Sequence, residues 1–263
     1  MARIEYEQPQ LIVAMDHGRA FGTVQGLEDP ARVIEAVVEA GADGIMTSFG
    51  VIKRYADILI GSVPTIMRLD GGPSFFREDW LENTEWSLLH AVDDARELEV
   101  DGVCVMLFMG ARVELKTMEI VAEVAGECLS DGLQVMVEAL PCPCERIPDP
   151  KAAGPMAAAA RLGFEHGADV LKTYDPGTVE GFRKVVENCP APVLIAGGPR
   201  MESTLDVLTV VRDSIEAGGR GVVFGRNIWQ SADPAAMVRA LRDVIDGEAT
   251  PEKAVRALRN GGG

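Results

Sequence analysis

The stretch Ala168-Asp169-Val170-Leu171-Lys172-Thr173-Tyr174 follows a helix-like segment that stops at Gly167. It is short, apolar and uninterrupted, as a strand buried on both faces is, with a lysine near its C-terminal end. A lysine is costly to bury as a cation, and a neutral amine is a nucleophile that forms Schiff bases with carbonyls. The alternative is a lysine that reaches out to water or pairs with a carboxylate.

Working outward, strand-like and helix-like segments alternate at about 30 residues, the size of a βα unit. Strands are predicted at Leu11–Met15, Gly44–Thr47, Thr65–Leu69, Val103–Phe108, Gln134–Ala139, Val170–Thr173, Val193–Ala196 and Gly221–Phe224. Amphipathic segments fall at 29–40, 50–60, 83–98, 112–130, 151–166, 178–187, 203–217 and 234–246, with a last short helix near 251–259. Asp29-Pro30 and Asp233-Pro234 read as an N-cap followed by proline at the first helical position. Gly41 and Gly218 follow helical runs as C-terminal caps do. Eight strands and eight helices predict an α/β fold, a (β/α)8 barrel occupying residues 1–263 as one domain. An open doubly wound sheet fits less well, because no Gly-x-Gly-x-x-Gly follows the first strand. The Pro- and Gly-rich stretch 141–155 reads as a loop after strand five.

Composition narrows the function. Hydrophobic residues make up 47% and charged residues 25% of the chain, ordinary for a globular protein. The formal net charge of −16 excludes a basic nucleic-acid surface and requires any phosphate site to be locally positive. Five cysteines, at 104, 128, 142, 144 and 189, form no disulfide framework. Cys142-Pro143-Cys144 lacks zinc-pair spacing, so no metal is expected. No apolar run reaches 18 residues and Met1–Glu7 carries no signal-like core. A cytoplasmic protein with no membrane or nucleic-acid partner is the expectation.

Chemistry in a parallel barrel gathers at the C-terminal strand ends. Read in order, these are Asp16-His17, Thr47-Ser48, Arg68 with Asp70, Phe108-Met109, Glu138, Lys172 with Tyr174, Gly197-Gly198 and Gly225-Arg226. Asp16 could hold a carbinolamine and move protons beside Lys172, or serve as a turn aspartate. His17 is adjacent to it. Gly197, Gly198, Gly225 and Arg226 lie in the loops after strands seven and eight, where barrels bind phosphate. Glu138 and Arg68 fit either a substrate contact or an ion pair between strand ends.

Met15-Asp16-His17-Gly18, Leu171-Lys172-Thr173-Tyr174, Ile195-Ala196-Gly197-Gly198 and Gly225-Arg226-Asn227-Ile228-Trp229-Gln230 occur in order, one per expected strand end. Together they resemble the archaeal-type class I fructose-bisphosphate aldolases of the wider deoxyribose-phosphate aldolase-like group. The thiolase of autoinducer-2 phosphate breakdown and the aminodideoxyheptulosonate synthases share the pattern. The resemblance spans nearly the whole chain. It implies a Schiff base on Lys172, an acidic partner at Asp16 and phosphate binding near Gly197, Gly198, Gly225 and Arg226. It implies no cofactor, and a homo-oligomer such as a ring-like decamer.

One departure stands out. The family's proton-transfer tyrosine precedes the proline that ends strand five, and here Glu138-Ala139-Leu140-Pro141 puts leucine there. Either Glu138, or another group such as Tyr174 or a water, takes over the proton transfer, or the reaction differs, so the expectation is class I aldol chemistry on a phosphorylated ketose or related ketone rather than on fructose 1,6-bisphosphate itself. Lys172, Asp16 and Glu138 are the expected catalytic groups. Gly197, Gly198, Gly225, Arg226, Arg68 and His17 are expected to bind substrate. A thiolase- or transaldolase-like transferase and a non-catalytic phosphate-ligand barrel are the alternatives.

Overall fold

The computed structural model describes residues 4–80, 82, 84–130 and 132–260. Eight parallel strands close on themselves: β1 (Gln10–Ala14), β2 (Gly44–Ser48), β3 (Thr65–Arg68), β4 (Gly102–Met109), β5 (Gln134–Pro141), β6 (Val170–Thr173), β7 (Val193–Ala196) and β8 (Gly221–Phe224). Each pairs with its neighbours in sequence, and β8 returns to β1 with Gly221 opposite Gln10. Among the described residues no helix is long and apolar enough to cross a membrane.

The strands read as continuous apolar runs because both of their faces are buried, against different partners. Leu11, Val13, Val103, Val105, Val135 and Val137 pack outward into the helical shell. Ile12, Met46, Ile66, Cys104, Met136 and Val170 point inward and fill the lower barrel together with Ile4 and Tyr6. Gln134 ties that plug in place, donating to Ile4 O at 2.9 Å and accepting from Ile4 N at 3.1 Å. Side chains alternate along a strand, so the inner face two residues further on carries Ser48, Arg68, Met106, Glu138 and Lys172. The barrel interior thus changes from apolar to charged within one layer.

Register is set from below by aspartates. Asp43, just before β2, accepts from Leu11 N at 2.6 Å. Asp101, just before β4, accepts from Thr65 N at 2.9 Å. Asp169, just before β6, accepts from Val135 N at 2.8 Å. In each case a loop carboxylate satisfies the strand N–H one place back in the barrel, an amide that closure would otherwise leave without a partner.

The helices follow the predicted segments closely. Asp29 and Asp233 cap Pro30–Glu39 and Pro234–Ile245 by accepting from Arg32 N and Ala236 N, with proline at the first position of each helix. The 50–60 segment divides at Tyr55 into Phe49–Arg54 and Ala56–Leu59. The 83–98 helix is corrected: its helical part is Val92–Glu97 only, and Ser87–Leu88 pair antiparallel with Asp70–Gly71 (residue 83 lies outside the described residues). The physical reason is the Trp86 indole, which donates to Asp70 Oδ2 at 2.7 Å and pins the chain to the end of β3. The helix begins only where Asp94 accepts from Ala91 N. Helices Gly18–Phe21 and Arg226–Trp229, short turns after β1 and β8, were not predicted.

In urea titrations Asp101→Ala is expected to destabilise the fold by about 1–3 kcal/mol, the cost of an unsatisfied buried amide. Leu115→Ala, at a residue 70% exposed, should stay within about 0.5 kcal/mol. Equal midpoints for the two variants would show that the aspartate does not set the register.

Candidate active site

Four of the expected residues meet on the inner face. Arg68 is 3% exposed and lies at the centre. Its Nε donates to Asp16 Oδ2 at 3.0 Å, and its Nη2 donates to Glu138 Oε2. Lys172 Nζ lies 2.9 Å from that same Glu138 oxygen. Strand pairing accounts for this geometry, because Glu138 and Lys172 are direct partners across β5 and β6. Asp16 follows β1 and Arg68 ends β3, so the guanidinium reaches across the barrel from β3 to β1 and β5, and Glu138 carries the link to β6.

Asp70, two residues past Arg68, completes the set. Its Oδ2 accepts from Met106 N at 2.6 Å and from Trp86 Nε1 at 2.7 Å. Its Oδ1 faces Arg68 Nη1 at 3.5 Å, and neither atom has a hydrogen-bond partner. Arg19 sits above, its Nε 3.8 Å from Asp16 Oδ2 and its guanidinium 5.7 Å from the centre of the Trp86 ring. Buried charges survive in a protein only when paired, and here three cations face three carboxylates.

The pairing sets protonation. Burial pushes Asp16 up, but Arg68, His17, Arg19 and Lys172 outweigh it and hold the carboxyl well below the usual carboxylate range. Glu138 is treated the same way: burial raises it, and Lys172 and Arg68 bring it down. Burial lowers His17, and the charges on Lys172 and Arg226 reinforce this against the pull of Asp16, so its imidazole favours the neutral form.

The glycine loops form the other half of the mouth. Asn227 ties them together. Its Nδ2 donates to Gly197 O at 2.9 Å, and its Oδ1 accepts from Met201 N at 2.8 Å. Gly198 has φ +61°, in the region that favours glycine. Gly225 has no room for a side chain, since a Cβ there would lie 2.6 Å from Ala14 O and 2.8 Å from His17 Cε1. His17 therefore packs between the Asp16 cluster and the β8 loop, with its ring edge-on to Trp229 at 5.3 Å. Arg226 Nε is buried without a hydrogen-bond partner. All nine expected residues are thus at one end of the barrel, in two groups that touch through His17. His90 and His166 lie elsewhere, against Phe49 and Leu162 O respectively.

Three residues escaped the sequence reading. Arg19 and Trp86 reach the cluster through tertiary folding of loops, which no local pattern reports. Asn227 was inside a quoted motif, but its stapling role depends on the distance between two loops.

Asp16 and Glu138 have folded-state pKa values below their unfolded ones, which are about 3.9 and 4.3. Their stabilising contribution is complete above about pH 5 and disappears as pH falls through the folded values. Urea midpoints should therefore drop from about pH 5 to pH 2, and Asp16→Asn should flatten that slope. A slope untouched by the substitution would mean that Arg68 does not hold the carboxylate down.

Comparison with known proteins agrees with this geometry. The model of DeoC/LacD family aldolases matches residues 10–231. The 2-amino-3,7-dideoxy-D-threo-hept-6-ulosonate synthase of Halobacterium salinarum is 32% identical over 96% of this chain and 92% of its own length. The class 1 fructose-bisphosphate aldolase of Thermoproteus tenax is 30% identical over 90% of this chain and 89% of its own. A solved archaeal fructose-1,6-bisphosphate aldolase, its catalytic lysine covalently bound to the carbinolamine intermediate of the substrate, superposes with a TM-score of 0.82. It is 28% identical and covers 90% of this chain and 94% of that one. The family match runs from the first residue of β1 to just past the helix after β8, and with it this chain belongs to the DeoC/LacD family of aldolases.

Proposed function

We propose that this aldolase makes or breaks a C–C bond in a phosphorylated ketose or related ketone through a Schiff base on Lys172. The observation that carries the reading is the Lys172 amine on the inner barrel face, 2.9 Å from a carboxylate oxygen that Arg68 also engages. Glu138 is thereby positioned to take a proton from the ammonium, which frees the amine to attack the ketone carbon. Loss of water from the carbinolamine gives an iminium. On cleavage the electron pair of the adjacent C–C bond moves into that iminium to form an enamine, and the aldehyde half departs. The iminium is the electron sink, so the step needs no metal. Asp16, held ionised by Arg68, stabilises the cationic iminium and assists its formation and hydrolysis.

The phosphate reading rests on Gly197, Gly198, Gly225 and Arg226, the last with a buried, unpartnered Nε at the same mouth. In this reading His17, packed between the cluster and the β8 loop, and Arg68 also contact the substrate. The same reading takes the chain as one barrel domain in the cytoplasm, a homo-oligomer such as the family's ring-like decamer. Sedimentation would measure that assembly.

Borohydride added to the protein with a panel of phosphorylated and unphosphorylated ketones is expected to leave a stable mass on Lys172, located by peptide mapping. Lys172→Met should abolish it while keeping the circular dichroism spectrum. Arg226→Met should raise KM for the phosphorylated ketone about 10–100-fold, the worth of a charge-assisted hydrogen bond. No adduct with any ketone, beside a control aldolase that reacts, would favour the binding-barrel alternative.

A further inference from the structure

An aldol reaction through a lysine enamine moves a second proton, remote from the imine. When the enamine carbon bonds to the aldehyde carbon, the aldehyde oxygen becomes an alkoxide and needs an acid within reach. The carboxylates of the cluster are already committed. Asp16 and Glu138 are held ionised by Arg68 and their other cations. One oxygen of Asp70 accepts two hydrogen bonds and the other faces Arg68. The threonine hydroxyls nearby are committed too, Thr47 to Met15 O and Thr173 to Ala139 O.

We propose that Tyr174 is the catalytic acid for the C–C bond step, an inference that rests on the Schiff-base reading of Lys172. Glu138 and Lys172 are paired across β5 and β6. Two residues further along come Leu140, still on β5, and Tyr174, one residue past the end of β6. The Tyr174 ring packs between the apolar cluster of Met106, Phe108, Val113 and Leu140 and the main hydrophobic cluster. Its phenol is half-buried, and among the described residues nothing is hydrogen-bonded to it. Leu140 has no proton to give, but it belongs to the apolar cluster against which the neighbouring phenol packs, within the fields of Glu138 and Arg226. Burial, Glu138 and Cys142 push the phenol up to about 12, against a downward pull from Arg226, so it rests protonated.

The step balances. The enamine pair forms the C–C bond, and the carbonyl π pair moves to oxygen, which takes the phenolic proton. The phenolate left behind is reprotonated from water. In cleavage the same path runs backward, with the phenolate taking the hydroxyl proton.

Tyr174→Phe in the full chain tests the assignment with two readouts. The first is the borohydride adduct of dihydroxyacetone phosphate on Lys172. The second is condensation of that ketone with a panel of glyceraldehyde 3-phosphate, erythrose 4-phosphate and glycolaldehyde. The expected result is an adduct within about twofold of wild type and a kcat lower by about 10²–10⁴-fold, the usual range for a general acid. Restoring a phenol from the other strand, Leu140→Tyr in the Tyr174→Phe background, should recover at least about tenfold. A kcat within threefold of wild type would overturn the assignment. Loss of adduct and kcat together would overturn it as well, by placing the residue in imine formation or folding. A wild type that forms the adduct but condenses with no aldehyde removes the C–C step, and the inference with it. A wild type with no adduct from any ketone of the panel, beside a control aldolase that reacts, fails the Schiff-base reading itself.

Discussion

A single guanidinium organises this barrel's charged layer. Arg68 bonds Asp16 and Glu138 and faces Asp70, three carboxylates carried by or just beyond three different strands. Without it these groups would crowd their negative charges into a dry interior, a cost of several kcal/mol each. With it they stay fixed, and Asp16 and Glu138 stay ionised. Lys172 then enters a site whose nearest carboxylate is already oriented, and reorganisation during reaction is small. Removing the arginine would therefore affect folding and chemistry together, because breaking a buried pair typically costs 3–5 kcal/mol.

The charged layer is possible only because of what lies below it. Ile12, Met46, Ile66, Cys104, Met136 and Val170 close the lower barrel to water, with Ile4 and Tyr6 beneath. Period-two alternation then fixes which residues of the next layer can face inward, and Arg68, Glu138 and Lys172 share that parity. A one-residue slip of any strand would send its charged group into the apolar shell. The aspartates Asp43, Asp101 and Asp169 oppose that slip at the other end of the barrel by holding strand amides. Stability at the bottom and chemistry at the top are thus coupled through register.

Much of this was legible in the sequence, for physical reasons. Strands Val170–Thr173, Val193–Ala196 and Gly221–Phe224 emerged with their predicted bounds, because doubly buried strands are apolar runs with glycine nearby. The four motifs that suggested the family stand at the expected strand ends, and the family resemblance was borne out. The segment 83–98 misled because polar and apolar residues recur there at helical spacing, while Trp86 answers to Asp70 across the loop. Arg19 illustrates the limit of such reading. Its position over Trp86 depends on the backbone link from Phe75 N to Ala20 O at 2.9 Å, which joins the loops after β1 and β3 above β2. No one-dimensional pattern encodes a contact between two irregular segments.

Charge raises a final question, because a chain of net −16 repels anions, the phosphorylated substrate proposed for it among them. The local balance answers it. Arg68, Lys172 and Arg19 offset Asp16, Glu138 and Asp70 within the cluster, and Arg226 at the mouth has no ion-pair partner among the described residues. At physiological ionic strength charges further than about 8 Å are largely screened at exposed positions, whereas those inside a dry cleft are not. An anion close to the mouth therefore feels the near cation more than the distant surface carboxylates. The acidic surface can favour solubility without closing the site, provided the strand ends stay neutral or positive, and the buried ion pairs around Arg68 keep them so.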